Sequence, residues 1–469
     1  MFIVKNTYGA LTLSENLEVV ILAAGQGSRM KSALPKVLHP VAGRSMLAHV
    51  VSAAQSLGPK AIHVVVGHGA DQVRSAMSTT DLHWVVQDEQ LGTGHAVLQA
   101  MPAVCDDSIV LVMYGDVPLI TTRTLSNLVS KAKAAPALLT AVVDEPLGLG
   151  RIVRDERGKM LEVVEEKDAT NEQLGICEVN TGVLAAPAAD LKNYLPRVGN
   201  SNKQGEYYLP DILGLAVKDG KTIESCAVAS ELEVQGVNDR VQLNQVEREF
   251  QRRQAEDLMR QGVSIADINR LDIRGSLRCG EDVAIDVNVV MEGSVELGNG
   301  ARVGPNCVLI DTRVEAGAVI HAFSHLQESV IGSNCSVGPY ARLRPGSQMD
   351  EGAKVGNFVE IKKSNVGKGS KINHLSYIGD CEMGSGVNVG AGTIVCNYDG
   401  VNKSKTVIGD GVFVGSNSTL VAPLTIEQGA FIGAGSAVTR TVEENELAVS
   451  RARQKNIQGW QRPTKKTGE

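Results

Sequence analysis

Ile331-Gly332-Ser333-Asn334-Cys335-Ser336-Val337-Gly338-Pro339-Tyr340-Ala341-Arg342-Leu343-Arg344-Pro345-Gly346-Ser347-Gln348-Met349 carries an aliphatic residue at every sixth position. The beat continues at Val355 and Ile361, and returns at Ile408, Val414, Leu420, Ile426, Ile432 and Val438. A glycine often follows it, as at Gly332, Gly338 and Gly356. A hexapeptide period marks a β-helix, a three-sided coil in which each short side supplies one inward aliphatic residue and one turn. Between the two runs the period breaks, with 13 residues from Val395 to Ile408. Residues 396–403 are therefore expected to form a loop thrust out of the coil, and such loops usually carry function.

Outward toward the N-terminus, the segment Asn238 to Gln261 holds neither proline nor glycine. Its apolar residues Val241, Leu243, Val246, Phe250, Ala255, Leu258 and Met259 form a stripe, which predicts a linker helix. Before it, apolar runs alternate with helix-like stretches: Val19–Leu22, Ile62–Val66, Ser108–Met113 and Leu138–Val143. Runs of this kind predict buried, mostly parallel strands of a layered α/β domain, with ligands bound beyond their carboxyl ends.

The bulk numbers fit this division. A chain of 469 residues is too long for one ordinary core. Its 49 glycines and only 3% aromatic residues suit a repetitive, turn-rich part. The net charge of −7 provides no global field to attract nucleic acid. The eight cysteines show no C-x-x-C pair and read as reduced thiols. No run of 18 apolar residues appears, and the N-terminus lacks an apolar core followed by a cleavage site, so a cytoplasmic protein with no membrane partner is expected.

Directly after the first predicted strand comes Leu22-Ala23-Ala24-Gly25-Gln26-Gly27-Ser28-Arg29-Met30, followed by Leu34-Pro35-Lys36. Two glycines let the backbone close on an anion, while Arg29 and Lys36 can neutralise a triphosphate. A Gly-rich strand-to-helix turn without a ligand is the plainer alternative. Tyr114-Gly115-Asp116 ends another strand, so Asp116 would project where a metal bridges phosphates. Asn238 could be a second metal ligand or merely the helix N-cap.

These motifs, with Gln87, Leu91-Gly92-Thr93-Gly94 and Asn180-Thr181-Gly182, resemble the bacterial bifunctional N-acetylglucosamine-1-phosphate uridyltransferase/glucosamine-1-phosphate acetyltransferase family. The resemblance spans residues 18 to 465. It implies an α/β Rossmann-like nucleotidyltransferase domain followed by a left-handed parallel β-helix, in a homotrimer that makes UDP-N-acetylglucosamine for cell-wall synthesis. The boundaries expected are an extension at 1–17, the uridyltransferase at 18–237, the linker at 238–262, the acetyltransferase at 263–450 and a basic tail at 451–469.

In the first site the resemblance places Leu22, Ala23 and Ala24 with the nucleotide. The UTP phosphates fall on Gly25, Gly27, Arg29 and Lys36, and the uracil on Gln87, Gly92 and Thr93. It gives the sugar to Gly150, Glu165, Asn180 and Tyr114, and Mg²⁺ to Asp116 and Asn238, with Gly115 beside them.

For the second site, a coil of three hexapeptides stacks residues 18 apart, which pairs Arg344 with Lys362 as a phosphate cradle or as two solvated charges. One coil is short, since Ile361 to Ile378 is 17, and this sets Tyr377 over Glu360 and Ala391 over His374. His374 is either an idle surface histidine or the base that deprotonates an amine. The resemblance makes it the base, with Glu360 as an orienting carboxylate. Arg344, Lys362, Tyr377 and Asn388 become the glucosamine-1-phosphate binders. Acetyl-CoA goes to Ala391, Asn397, Tyr398, Ser416, Ala434 and Arg451, with the tail reaching the site of a neighbouring chain.

Overall fold

A computed structural model of the chain describes residues 16–465. The expected extension, apart from its last two residues, and residues 466–469 of the tail lie outside the described residues. The chain divides into two compact units between Arg253 and Gln254, within the helix Arg240–Arg260.

In the first unit, all seven residues of Leu17–Ala23 are buried. Their side chains alternate between two apolar layers, with Val19 and Ile21 in one and Val20 and Leu22 in the other. This is the pattern of a strand covered on both faces. From edge to edge the main sheet runs Glu224–Ala227, Ala137–Val142, Glu178–Pro187, Ile109–Tyr114, Leu17–Ala23, Ala61–Val66 and His83–Val86. Glu178–Pro187 is antiparallel to both neighbours, and the other neighbouring pairs on this path are parallel. The loops after Ala23, Val86 and Tyr114 thus emerge at one end of the sheet. The helix predicted from Asn238 begins at Arg240, because Asp239 takes the capping position.

The second unit stacks short parallel strands into coils. One face is an 11-stranded sheet, and the other two faces join in a 17-stranded sheet. All twelve residues of the sixfold beat, Ile331 through Ile361 and Ile408 through Val438, are buried. The coil starts well before 331, with Ile285, Val303 and Ile320 stacked beneath Val337. The same sixfold beat runs there through Ile285, Met291, Leu297, Val303 and Leu309, all buried, although Leu271–Cys279 and Val289–Leu297 are longer strands of nine residues.

At the end of the first sheet remote from these loops, Glu18 is buried in a polar cluster. The Ser108 hydroxyl donates to Oε1 at 2.7 Å, and the Cys105 N–H donates to it at 3.0 Å. His63 Nε2 lies 2.8 Å from Oε2. Burial alone would raise the Glu18 pKa, but these hydrogen bonds outweigh it and hold the carboxyl at about 2, below its ordinary 4.5. Because the folded value is depressed, the carboxylate stabilises the native state above about pH 4.5, and this contribution is lost as pH falls toward 2. Urea unfolding across that window should show a weaker acid sensitivity in Glu18→Gln than in the wild type. Equal sensitivity would contradict the assignment.

Candidate functional site

The loop after the first strand holds two glycines that are needed for different reasons. Gly27 sits in the left-handed region at φ +64°, and a Cβ there would lie 2.7 Å from the Lys36 Cβ. The turn therefore closes against Lys36 only because residue 27 is glycine. Gly25 lies outside the left-handed region, and a Cβ there would meet nothing within 4 Å. Nothing inside the chain demands glycine at 25. Arg29 stands exposed on the same turn.

Lys36 joins three distant segments. Its ammonium pairs with Asp116 Oδ2 and donates to Asn238 Oδ1 at 3.2 Å. Asp116 is placed by its strand: the Gly115 N–H donates to the Leu22 carbonyl at 2.9 Å, and the Val237 N–H donates to the Asp116 carbonyl at 3.0 Å. Asn238 is not the helix cap. Asp239 Oδ1 accepts from the N–H groups of Val241 and Gln242, both at 2.9 Å, which leaves the Asn238 side chain turned to Lys36.

Behind this cluster, Tyr114 packs on Gly182, where a Cβ would lie 2.5 Å from the ring. Burial, with Asp116 and Glu165 nearby, pushes the Tyr114 hydroxyl above the ordinary tyrosine range. Asn180 bridges the same region: its N–H donates to the Gly150 carbonyl, and its Oδ1 accepts from the Gly182 N–H, both at 2.8 Å. Gly150 in turn abuts Glu165, with a built Cβ 3.0 Å from Oε1. Gln87 is buried and donates to the Gly92 carbonyl at 3.2 Å, while the Thr93 hydroxyl accepts from the Leu209 N–H at 3.0 Å.

Sequence reasoning did not single out Asp211, which opens the helix Asp211–Lys218. Burial, then Asp168 and Glu162, push its carboxyl up to about 6. Burial and Asp211 likewise raise the Glu165 carboxyl. No spacing in the chain links Asp211 to Glu165, so only the fold reveals the pair.

In the second unit, register determines what meets. Leu343 pairs with Ile361, which aligns Arg344 with Lys362, and Glu360 pairs with Tyr377. Arg344 bonds Glu360 Oε1 at 3.0 Å. The Lys403 side chain, brought in by the protruding loop, holds the Lys362 ammonium below the usual lysine range. Asn357 pairs with His374, and its Oδ1 lies 2.8 Å from His374 Nδ1. The group that orients the imidazole is thus Asn357, whereas Glu360 is held by Arg344. The same 17-residue step that sets Tyr377 over Glu360 could have identified Asn357.

Continued upward, the register from Ile372–Val389, Val389–Val414 and Val414–Ile432 stacks His374, Ala391, Ser416 and Ala434 in one column. Arg451 closes its top by donating to the Ala434 carbonyl. The break in period is a hairpin loop, with Tyr398 bridged to Lys403 and Asn397 buried against Asp380. Asn388 pairs with Lys371 on the 11-stranded face, whereas Arg344, Lys362 and Tyr377 belong to the 17-stranded sheet. Asn388 thus lies on a different face of the coil from the other three.

A nucleotidyltransferase α/β unit ahead of a hexapeptide β-helix transferase is the class these features define. Residues 19–171 match the MobA-like NTP transferase domain family, and residues 405–440 match the bacterial transferase hexapeptide family (six repeats). The chain is 57% identical to the bifunctional protein GlmU of Marinobacter nauticus over 450 residues, 96% of this chain and 99% of that one. It is 54% identical to the GlmU of Pseudomonas putida and 53% identical to that of Pseudoalteromonas atlantica, each covering 99% of the relative and 96% and 95% of this chain. The chain belongs to the bifunctional GlmU family, and its second unit is a left-handed β-helix. Its activities are acetyl transfer to glucosamine-1-phosphate, then uridyl transfer from UTP to the product with release of pyrophosphate.

Gly25→Ala should separate fold from ligand. The thermal midpoint is expected to stay unchanged, since the methyl group meets no atom of the chain. A loop that takes phosphate on this open surface should then lose nucleotide affinity by roughly tenfold or more. Unchanged affinity in isothermal titration would contradict a phosphate-binding role for this loop.

Proposed function

We propose that the two clusters described above are the two active sites, with each residue acting as its chemistry and position suggest. The observation that carries the reading is the column of the β-helix, in which Asn357, His374, Ala391, Ser416 and Ala434 share one edge, together with the basic group Arg344, Lys362 and Lys403 on another face of the same coil. A purely structural coil has no need of that arrangement.

At the first site, Gly25, Gly27, Arg29 and Lys36 hold the UTP phosphates, with Leu22, Ala23 and Ala24 leading into the loop. Gln87, Gly92 and Thr93 take the uracil; Tyr114, Gly150, Glu165 and Asn180 take the sugar. Asp116 Oδ2 and Asn238 Oδ1 already converge on one cation, the Lys36 ammonium, and two such oxygens suit Mg²⁺, which otherwise keeps waters and phosphate oxygens. When bound, the ion neutralises phosphate charge. The sugar phosphate needs no covalent help from the protein for in-line attack on the α-phosphorus. Lys36 and Arg29 offset the charge that grows on the departing pyrophosphate, and the rest of the site supplies position.

At the second site, Asn357 Oδ1 facing Nδ1 keeps the imidazole hydrogen on Nδ1 and a lone pair on Nε2. Nε2 takes the proton of the sugar ammonium as the amine nitrogen attacks the thioester carbonyl. The C–S bond then breaks, and CoA leaves as thiolate and is protonated. Arg344, Lys362 and Tyr377 hold the sugar phosphate. Asn388 completes that group from the neighbouring chain of a homotrimer. The exposed stack Phe323, Tyr340 and Phe358, with ring centroids 4.9 and 5.3 Å apart, supports burial of this corner in an assembly. Acetyl-CoA lies along Ala391, Ser416, Ala434 and Arg451, under the loop carrying Asn397 and Tyr398. No helix among the described residues is long and apolar enough to cross a membrane. All eight cysteines are free, which suits a cytoplasmic protein.

Reciprocal variants test the assignment. In preparations that light scattering should size as three chains, His374→Ala is expected to lower acetyl-transfer kcat by about 10²–10⁴ with uridyl transfer unchanged. Asp116→Ala should abolish uridyl transfer and spare acetyl transfer. A folded His374→Ala that retains full acetyl-transfer rate would return the column to a structural role.

A further inference from the structure

Gln87 is 3% exposed, and the nitrogen end of its carboxamide is held twice. It lies 3.2 Å from the Gly92 carbonyl oxygen and 3.0 Å from His95 Nδ1. The two ends of a carboxamide have nearly the same shape, but a backbone carbonyl only accepts, so the end facing Gly92 is the NH₂. That carbonyl is fixed in place. Gly92 sits at φ +114°, a Cβ on it would lie 2.6 Å from the Tyr207 oxygen, and the Gly94 N–H donates to the same oxygen at 2.8 Å.

With one amide hydrogen on Gly92, the other points at His95 Nδ1, which must then be a bare lone pair. The ring hydrogen therefore sits on Nε2. Nε2 lies 3.1 Å from Nε2 of the Gln99 carboxamide, one turn along the helix Thr93–Ala100. Two N–H groups cannot share that contact, so a hydrogen on the ring nitrogen requires the Gln99 carboxamide, whose ends have nearly the same shape, to be turned so that its oxygen accepts. Both Gln87 donors are thereby occupied, and Gln87 has only oxygen lone pairs left for a ligand. Uracil presents an N–H at N3, where cytosine presents a lone pair.

We infer that His95 is a positioning residue for base selection: by holding Gln87 as an acceptor, it makes the first site choose uridine over cytidine nucleotides. The inference rests on the placement of the uracil at Gln87. A buried acceptor facing a cytosine lone pair would leave two acceptors opposed and unpaired, a loss larger than a missing contact.

The test is kcat/KM for UTP and for CTP with N-acetylglucosamine-1-phosphate, in the full-length enzyme. His95→Phe keeps an aromatic ring without the acceptor. It should lower the UTP-to-CTP ratio by roughly ten- to hundredfold, through the KM for UTP more than through kcat. His95→Asn, whose Oδ1 can take the place of Nδ1, should keep most of the ratio. Gln99→Leu removes the partner that fixes the ring hydrogen and should shift the ratio the same way by less. It also serves as the test if His95→Phe does not fold. A folded His95→Phe or Gln99→Leu series with an unchanged ratio overturns the inference while Gln87→Leu still lowers the ratio. An unchanged ratio in Gln87→Leu itself overturns the uracil placement, and the inference falls with it.

Discussion

Parallel strand pairing in register is the constraint on which both units depend. In the β-helix, every coil must repeat the backbone ladder of the coil below, and each face buries one aliphatic residue per strand. Leu343 over Ile361 and Ile361 over Ile378 are fully or almost fully buried examples. Once those residues are fixed, their outward neighbours have no freedom of position along the axis. Asn357, His374, Ala391, Ser416 and Ala434 share an edge because Val355, Ile372, Val389, Val414 and Ile432 share a core. The insertion between Cys396 and Thr406 leaves the stack intact, since Ile394–Cys396 pairs directly with Thr419–Val421 and Thr406–Ile408 joins the adjacent face. A regular coil thereby carries one protruding loop, and such loops are where function usually sits.

The same constraint orders the first unit. Parallel pairing of Leu17–Ala23 with both neighbours brings three loops to one end, where Lys36, Asp116 and Asn238 meet. Toward the other end Glu18 is buried, its carboxylate taken up by Ser108, Cys105 and His63. Charge follows this polarity. Lys36 and Arg29 stand at the loop end, while burial raises the carboxyls of Glu165 and Asp211, the first further by Asp211 and the second by Asp168 and Glu162. Sugar hydroxyls, which both donate and accept, suit such a mixed environment better than phosphates would.

Much of this was legible in the sequence because it is written in periods and local motifs. The six-residue beat gave the coil, and its interruption gave the loop. What escaped depended on choices that periodicity does not encode. Asn238 and Asp239 are adjacent and both suit an N-cap, so only the hydrogen bonds of Val241 and Gln242 decide between them. The early coils carry the same beat at Ile285, Met291, Leu297, Val303 and Leu309, so they were legible in the sequence as well. Asn357 was within reach of the register argument, but an asparagine draws less notice than a carboxylate as a partner for histidine. His95 follows the quoted glycine motif directly, yet its meaning lies in which nitrogen carries a hydrogen, and that is set by the Gly92 carbonyl and Gln99 in three dimensions.

The central claim is that one chain performs both transfers at separate sites, the product of one being the substrate of the other. The most direct measurement supplies glucosamine-1-phosphate, acetyl-CoA, UTP and Mg²⁺ to the purified protein and identifies the products by mass. The account predicts UDP-N-acetylglucosamine with one CoA thiol and one pyrophosphate released per molecule, and no nucleotide sugar when acetyl-CoA is omitted. Accumulation of UDP-glucosamine, or of N-acetylglucosamine-1-phosphate that is never uridylated, would contradict it.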